Sequence, residues 1–359
     1  MLGWLPSDDY DTSWGQAVRV TSLHGSFNGG ATRLDGPSER PVSSHVWAMV
    51  GKRLLATVPI LVMVSFVVFT MTYLIPGDAA AVIAGESATR EQVEAVRGEL
   101  GLNDPFIIRY LEWAGSAIRG DFGLSISQGR PVGVLIAEAL PATMQLAVGS
   151  MLIAVFLGLP LGMIAASKPG SLWDRGSVVL ASIGLAVPSF WLGVMLVAVF
   201  SVTLGWLPTA GYVPLTEGFE EWAGHLVLPV VALGVTGAAE LMRQTRSSLS
   251  SVLQNDYIRT AQMKGLPPRV VVAKHGMKNA SLPVVTAFGL QAAVILGGTA
   301  VIESVFAISG VGRLAVAAIS TRDMPVVQGV ALLVTVMAVT VNLLMDLVTM
   351  YLNPKLDLS

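Results

Sequence analysis

Six long apolar runs, each separated from the next by a polar segment, constrain the fold of this chain more than any other feature of its sequence. The runs cover residues 54–75, 142–167, 178–204, 226–242, 283–301 and 326–351. The first run has about 22 residues, or roughly 33 Å of helix, which is enough to cross a hydrocarbon core of about 30 Å. A helix satisfies its backbone hydrogen bonds internally, as the interior of a bilayer requires. The pattern therefore predicts an all-α membrane protein with six transmembrane helices.

The composition agrees with a polytopic membrane protein and argues against several other classes. Hydrophobic residues make up 53% of the 359 residues and charged residues 13%, which is about half the charged fraction of a soluble domain. The absence of cysteine excludes disulfides, thiol catalysis and thiolate metal sites. The four histidines have no ligand spacing, so we expect neither a metal site nor a cofactor in this chain. The basic residues are concentrated in one segment, so nucleic acid is not an expected partner.

The sequence also lacks the motifs of nucleotide-binding and hydrolytic enzymes. The Gly51-Lys52 pair is followed by arginine and does not form a phosphate-binding loop. We find neither a Gly-x-Ser-x-Gly elbow nor a His-Glu-x-x-His zinc helix. We therefore do not expect this chain to be an enzyme or to hydrolyse ATP itself.

The polar segments on either side of the first run differ in charge. Residues 1–48 carry both signs of charge and no apolar run of membrane length, which predicts a disordered cytoplasmic extension, unless translation starts at Met49. The transmembrane domain is then residues 49–359. Residues 76–141 contain more acidic than basic residues and are expected to pack as a lid on the outer face. Within them, Thr89 and the apolar residues that follow it predict a capped amphipathic helix.

Several positions indicate how the helices pack. Gly158 and Gly162 are one turn apart and predict a close helix contact, and Pro188 predicts a break in the third run. Residues 303–325 are too short and too interrupted to span, so we expect a re-entrant or outward-packed helix there. Asp346, inside the last run, is expected to face the bundle, with structural hydrogen bonding favoured over a role in transport.

The segment between the fourth and fifth runs, residues 243–282, is polar and basic. It contains seven Lys and Arg residues and one acid, Asp256. This excess predicts a cytoplasmic location, and six spans then place both termini in the cytoplasm. On charge alone, an ordinary positive-inside loop is the favoured interpretation. The charge also suits anionic lipid headgroups or an acidic partner.

Two short helices are predicted inside this segment. Asn255 or Asp256 is placed as the side-chain N-cap of the first helix, and Gly265 as the left-handed residue just beyond its end. The residue after Gly265 is placed to contact Ala261, and two prolines follow to stop the helix. The second proline can open the next helix, which we expect over residues 269–279.

The order of residues in the first of these helices resembles the loop that defines permease subunits of ABC importers. In that loop Glu-Ala-Ala, three further residues and Gly form a helix that docks on the ATP-hydrolysing subunit, and here Arg259-Thr260-Ala261 and Gly265 match it. Arg259 replaces the acid, and the closing Leu-Pro comes later, at residues 282–283. Both departures are similar to the dipeptide, oligopeptide and nickel branch of these binding-protein-dependent transport systems. The same branch is matched by Tyr257, Ile258, Met263, Lys264, Leu266, His275 and Asn279.

The resemblance extends from about Leu54 to the C-terminus and implies a type I ABC importer permease fold in a bacterial cytoplasmic membrane. It implies as partners a second, homologous permease chain, an extracytoplasmic solute-binding protein, and two ATP-binding subunits that carry ATP and Mg²⁺. By the same resemblance, the residues that couple this chain to the ATPase are Asp256, Tyr257, Arg259, Thr260, Ala261, Lys264, Gly265 and Leu266.

Two further questions stay open at this point. The resemblance favours dipeptides or oligopeptides as the substrate, with nickel as the alternative. A membrane scaffold that does not transport is a weaker alternative, because a lipid-binding loop would not need a capped helix that ends at Gly265.

Overall fold

The computed structural model describes residues 42–74, 80, 84, 88–99, 101 and 103–352. We number its helices α1 (Val42–Leu74), α2 (Arg90–Glu99), α3 (Phe106–Ile118), α4 (Val132–Ser167), α5 (Leu172–Ala186), α6 (Ser189–Leu196), α7 (Phe219–Leu253), α8 (Asp256–Met263), α9 (Pro268–Val305), α10 (Val311–Ser320) and α11 (Met324–Leu352). Helix α6 continues as the π-helical Val197–Thr203, and α9 is π-helical over Val271–Gly276. Within these described ranges, the bridge between Leu124 and Pro131 is the only β-type pairing, so the predicted all-α class is confirmed.

The chain divides into two units, Met1–Trp47 and Ala48–Ser359. Most of the predicted disordered extension lies outside the described residues. Residues 42–48, the last part of that extension, belong to α1. Regular structure therefore begins before the predicted boundary at residue 48.

The helices that can span a membrane are longer than the apolar runs that predicted them. Among the residues that the structure describes, four helices are long and apolar enough to cross a bilayer: α4, α7, α9 and α11. The pair α5 and α6 adds a fifth if it is one span, and it bends by 96° at the predicted break beside Pro188. The apolar part of α1 that can be described, Leu55–Met71, is shorter than these helices. The count of six spans therefore stays a prediction.

The largest correction concerns the start of the fifth span. Helix α9 begins at Pro268 and runs without interruption to Val305, through the predicted start near Pro283. The separate helix predicted for residues 269–279 is thus wrong, because those residues form the first turns of α9. Apolar patterns detect the membrane-embedded part of a helix, whereas the backbone hydrogen bonds continue into the polar part.

Helices α4 and α7 form the centre of the bundle, and their contact depends on glycine. A Cβ atom on Gly158 would lie 2.8 Å from the carbonyl oxygen of Ala238, and one on Gly162 would lie 2.8 Å from the carbonyl oxygen of Met242. The predicted close contact at these two glycines is confirmed. Beside it, a buried apolar cluster joins α4, α7 and α9, with Leu146 and Ile295 among its members.

We predict that Gly158→Ala lowers the thermal stability of the permease. The added methyl group meets backbone, which cannot move aside as a side chain can, and overpacking of this kind costs about 1–3 kcal/mol. Gly297→Ala in α9 is the matched control, because a Cβ atom there meets nothing within 4 Å and alanine favours helix by about 1 kcal/mol. The measurement is the melting temperature of each purified variant in detergent. Equal melting temperatures for the two variants would contradict the packing described above.

The segment before α4 packs against α1 and carries the predicted capped helix. At the start of α2, the side chain of Gln92 accepts a hydrogen bond from the Thr89 N–H at 2.8 Å, and Thr89 Oγ1 accepts one from the Gln92 N–H at 3.3 Å. This reciprocal pair is a capping box, so the predicted cap is confirmed. Helix α3 lies on α1 through ring contacts of Phe69 with Tyr110 and Trp113.

Asp323 fastens the turn before α4 to the connection between α10 and α11. Its carboxylate accepts hydrogen bonds from the hydroxyl groups of Ser125 and Ser127, at 2.5 and 2.7 Å, and from the Ile126 N–H at 3.1 Å. Burial acts to raise the pKa of Asp323, but these hydrogen bonds outweigh it and hold the pKa below its ordinary value. The charged form of Asp323 therefore stabilises this loop contact.

Helix α10 occupies the region predicted to be re-entrant or outward-packed, and a buried carboxyl group holds it in place. Glu303 of α9 is 0% exposed. Its Oε1 accepts a hydrogen bond from Thr143 Oγ1 at 2.7 Å, and its Oε2 accepts one from the Arg313 N–H at 2.8 Å. Thr143 Oγ1 in turn accepts a hydrogen bond from the Val311 N–H at 2.8 Å. A Cβ atom on Gly310 would overlap the Glu303 carboxyl group, so this position requires glycine. Glu303 thus joins α4, α9 and α10.

Candidate functional site

The connection that contains the predicted coupling residues is shorter than the sequence suggested. The predicted polar loop covered residues 243–282, but α7 extends to Leu253 and α9 begins at Pro268. Residues 254–267 alone lie between these two long helices, and α8 occupies Asp256–Met263 in the middle of them. A short helix is thereby held on both sides by helices that enter the bundle.

The N-terminus of α8 differs from its prediction in one respect. Asn255 occupies the N-cap position with extended backbone, φ −72° and ψ 149°, but no side-chain hydrogen bond caps the helix. The Asn255 carbonyl group accepts hydrogen bonds from the N–H groups of Ile258 and Arg259, at 3.0 and 3.4 Å. The predicted side-chain cap is therefore wrong, although its position is right. This first turn is exposed, so water can satisfy its free N–H groups.

The C-terminus of α8 agrees with its prediction. Gly265 has φ +77°, in the left-handed region, and its N–H donates to the Gln262 carbonyl at 2.9 Å. Pro267 then takes the N-cap position of α9, and Pro268 lies in its first turn, where the missing N–H leaves no unpaired partner. The left-handed terminator and the proline start are both confirmed.

One face of α8 is buried against the base of α9. Ile258 is 0% exposed and Ala261 is 8% exposed, and both pack with Val271 of α9 and Leu253 of α7. A polar contact reinforces the packing, because Asn279 Nδ2 donates a hydrogen bond to the Tyr257 hydroxyl group at 2.8 Å. Helix α8 is therefore attached to α9 through both apolar and polar contacts.

Ile258 was not among the site residues predicted from the sequence. It entered only as part of the family-like order of residues, whereas the structure makes it the main apolar anchor of α8. The signal was present in the spacing: Ile258 and Ala261 are three positions apart and share one helix face. Their partner Val271, however, could not be identified without the path of α9.

The opposite face of α8 is exposed and polar. Arg259 lies on it with its guanidinium 3.5 Å from the Asp256 carboxylate, and both side chains are largely exposed. An exposed pair at this distance contributes little stability, so both charges are available to another surface. The remaining predicted coupling residues on the exposed side are Thr260, Lys264, Gly265 and Leu266. The structure thus divides the predicted set, with Ala261 facing the bundle.

Helix α8 is packed against the bundle on one side and borders a cleft on another. It packs on α9 and on Leu253 of α7, whereas a cleft of about 240 Å³, lined by residues of α4, α7, α8 and α9, separates it from the end of α4. Farther along α7, Arg246 forms an ion pair with Asp174 of α5 and holds that helix end in place. We infer that α8 follows α9 more closely than it follows α4.

Two family descriptions match the chain. Residues 158–358 match the family described as the binding-protein-dependent transport system inner membrane component. Residues 47–147 match the family described as the N-terminal part of the binding-protein-dependent transport system membrane component.

Individual relatives match over nearly their full length. A peptide ABC transporter permease protein of Sinorhizobium fredii, y4tP, is 39% identical over 85% of this chain and 97% of its own length. A peptide transport system permease protein of Brucella abortus is 40% identical over 86% of this chain and 98% of its own. The glutathione transport system permease protein GsiC of Escherichia coli is 42% identical over 85% of this chain and 97% of its own.

Proposed function

Because this chain belongs to the inner membrane components of binding-protein-dependent transport systems, we propose that it moves dipeptides or oligopeptides across the bacterial cytoplasmic membrane. The chain is the permease subunit of an ABC transporter and not an enzyme, and it works with ATPase and substrate-binding components. It is a multi-pass protein of the inner membrane.

The substrate proposal is carried by one observation, the similarity to permeases of peptide systems over nearly their whole length. The relatives described above are named for peptides or for glutathione, which is itself a tripeptide. Those names support peptides over the nickel alternative. A scaffold that does not transport has no support from them.

The proposed assembly is one copy of this chain, a second homologous permease, two ATP-binding subunits and an external solute-binding protein. We place α8 in the cytoplasm, and α2 and α3 on the outer side, since the charge bias of residues 243–282 and 76–141 supports that orientation. Six spans then place both termini in the cytoplasm, and α10, between the fifth and sixth spans, on the outer side. We also place residues 1–48 in the cytoplasm as an extension ahead of the permease domain. ATP and Mg²⁺ belong to the partner subunits.

The coupling proposal is that α8 docks on an ATPase subunit and transmits its movement to α9. The exposed face with Arg259 and Lys264 supplies the docking surface, and the buried face with Ile258 and Ala261 supplies the rigid attachment. ATP binding closes the ATPase pair and moves the docked helices, which switches the spans between inward-open and outward-open forms. This is the step by which a chain without a nucleotide site uses ATP.

Reconstitution of the complete transporter in liposomes tests the proposed function. With loaded binding protein outside and ATP available to the ATPase subunits, we expect accumulation of a labelled peptide such as trialanine and no accumulation of nickel. Omission of ATP should abolish the accumulation. Nickel uptake without peptide uptake would overturn the substrate proposal in favour of the alternative.

A further inference from the structure

A second cleft lies at the opposite end of the bundle from α8, between the turn before α4, the start of α4 and the start of α10. Its volume is about 320 Å³, within the range of roughly 300–1,000 Å³ typical of small-molecule sites. Leu135 and Ala139 of α4 contribute buried apolar surface, and Leu314 of α10 extends it. The cleft therefore has an apolar floor in a position that the coupling site does not use.

The rim of this cleft carries three charged side chains. Arg130 donates hydrogen bonds to both carboxylate oxygens of Glu138, at 3.1 and 2.5 Å, and both side chains are about half exposed. Arg313 lines the other wall, and no carboxylate of the described residues lies within ion-pair distance of its guanidinium. Two guanidinium groups thus face one carboxylate, which leaves the rim with an excess of positive charge.

The backbone of Arg313 is fixed from the inside while its side chain is exposed. The N–H of Arg313 donates to the fully buried Glu303, as described above, and Glu303 does not line the cleft. Helix α10 therefore holds the Arg313 guanidinium group at the rim. The buried Glu303 carboxyl group binds the backbone N–H of Arg313 and does not compete for its guanidinium group in the cleft. A charged donor fixed in this way is suited to bind an anionic group from solution.

We propose that this cleft binds the transported peptide as it enters the permease, with Arg313 binding the free α-carboxylate. The inference rests on the proposed peptide substrate and names residues that recognise it. A guanidinium binds a carboxylate through two parallel hydrogen bonds, which favours Arg313 for this role. The apolar floor formed by Leu135, Ala139 and Leu314 would contact the peptide side chains.

The absence of native cysteine allows a direct test of occupancy. Ala317 of α10 lines the cleft, whereas Ser320 is exposed on the same helix and does not line it. We would introduce Ala317→Cys or Ser320→Cys into the transporter without its binding protein, in right-side-out vesicles, and measure the labelling rate with an impermeant maleimide. Trialanine at about ten times its dissociation constant should slow labelling of Ala317→Cys by roughly tenfold and leave Ser320→Cys unchanged.

Variants of the peptide and of Arg313 identify the recognised group. Trialanine amide, which lacks the free carboxylate, should protect at least about tenfold more weakly than trialanine, because the charge-assisted hydrogen bonds are lost. Arg313→Gln should weaken protection by trialanine to the same level and should reduce the difference between acid and amide. Arg313→Lys should restore part of it, since lysine keeps the charge without the planar fork.

Three results would overturn the inference. They are equal protection by acid and amide, protection that survives Arg313→Gln, and cysteines at both positions that fail to react from outside. ATP-driven peptide uptake by the complete transporter is measured in parallel. Normal uptake without protection of Ala317→Cys would reject this cleft and leave the proposed function intact, whereas absence of uptake for every peptide would reject the proposed function itself.

Discussion

Gly265→Val is expected to uncouple peptide transport from ATP hydrolysis while the permease still folds and inserts. Gly265 has φ +77°, and a Cβ atom there would meet nothing within 4 Å, so the cost is one of backbone strain and not of collision. Strain of this kind costs about 1–2 kcal/mol for residues other than glycine, and more for a β-branched one. The native end of α8 should then be populated roughly 5–30 times less than before. The spans are untouched, so melting temperature and membrane yield should stay close to those of the native protein.

The measurement is ATPase activity stimulated by loaded binding protein, together with co-purification of the ATPase subunits. Gly205→Val is the matched control, because Gly205 has φ +64° and equally open surroundings in the segment after α6. It imposes the same strain away from α8 and should leave stimulation largely intact. Gly265→Asn should also retain coupling, because asparagine tolerates the left-handed conformation better than valine does. Normal stimulation in Gly265→Val would reject α8 as the coupling element.

Glu303→Ala is expected to remove most of the folded permease. The substitution leaves the Arg313 N–H without its acceptor and the Thr143 hydroxyl group without its hydrogen-bond acceptor. The unpaired hydroxyl group of the buried Thr143 costs about 1–3 kcal/mol, and the part-buried Arg313 N–H and the cavity add to the loss. A domain has only about 5–15 kcal/mol of net stability, so the combined loss is a large part of it. We expect a strongly lowered melting temperature and aggregation on extraction into detergent.

Glu303→Gln tests whether Glu303 acts through its hydrogen bonds or through a negative charge. The glutamine carbonyl oxygen can accept from the Arg313 N–H, and its amide N–H₂ can donate to Thr143 Oγ1, but the Thr143 hydroxyl proton then has no acceptor on residue 303. This variant should therefore melt between the alanine variant and the native protein. If the alanine variant, the glutamine variant and the native chain had the same melting temperature, Glu303 would not hold α10 in place.

Local features of the fold were predictable from the sequence, because their causes lie within a few residues. The left-handed Gly265 and the proline start of α9 follow from the residues at those positions, and the structure agrees with both. The contact at Gly158 and Gly162 was predictable for a related reason. Two small residues one turn apart allow another helix to pack closely, whichever part of the sequence forms that helix.

Features that depend on distant residues were not predictable. Glu303 lies 160 positions from Thr143, its hydrogen-bond partner, and nothing in either neighbourhood indicates the other. The start of α9 at Pro268 was missed because its first turns are polar, and an apolar run cannot reveal them. The side chain of Asn255 was misjudged for the opposite reason: the type of residue fits a cap, but exposure to water makes the cap unnecessary.

The π-helical stretch of α9 has a geometric consequence for its attachment to α8. Val271 packs against α8, and Ala280 packs in a separate cluster with Ala166 and Leu249, at the ends of α4 and α7. In a continuous α-helix, residues nine positions apart point about 180° away from each other. A wide turn absorbs one extra residue, which reduces that angle to about 80°. The two buried side chains can therefore face neighbouring sides of one helix. Conversion of the wide turn to ordinary α-helix would rotate Val271 by about 100° away from Ile258 while Ala280 kept its orientation.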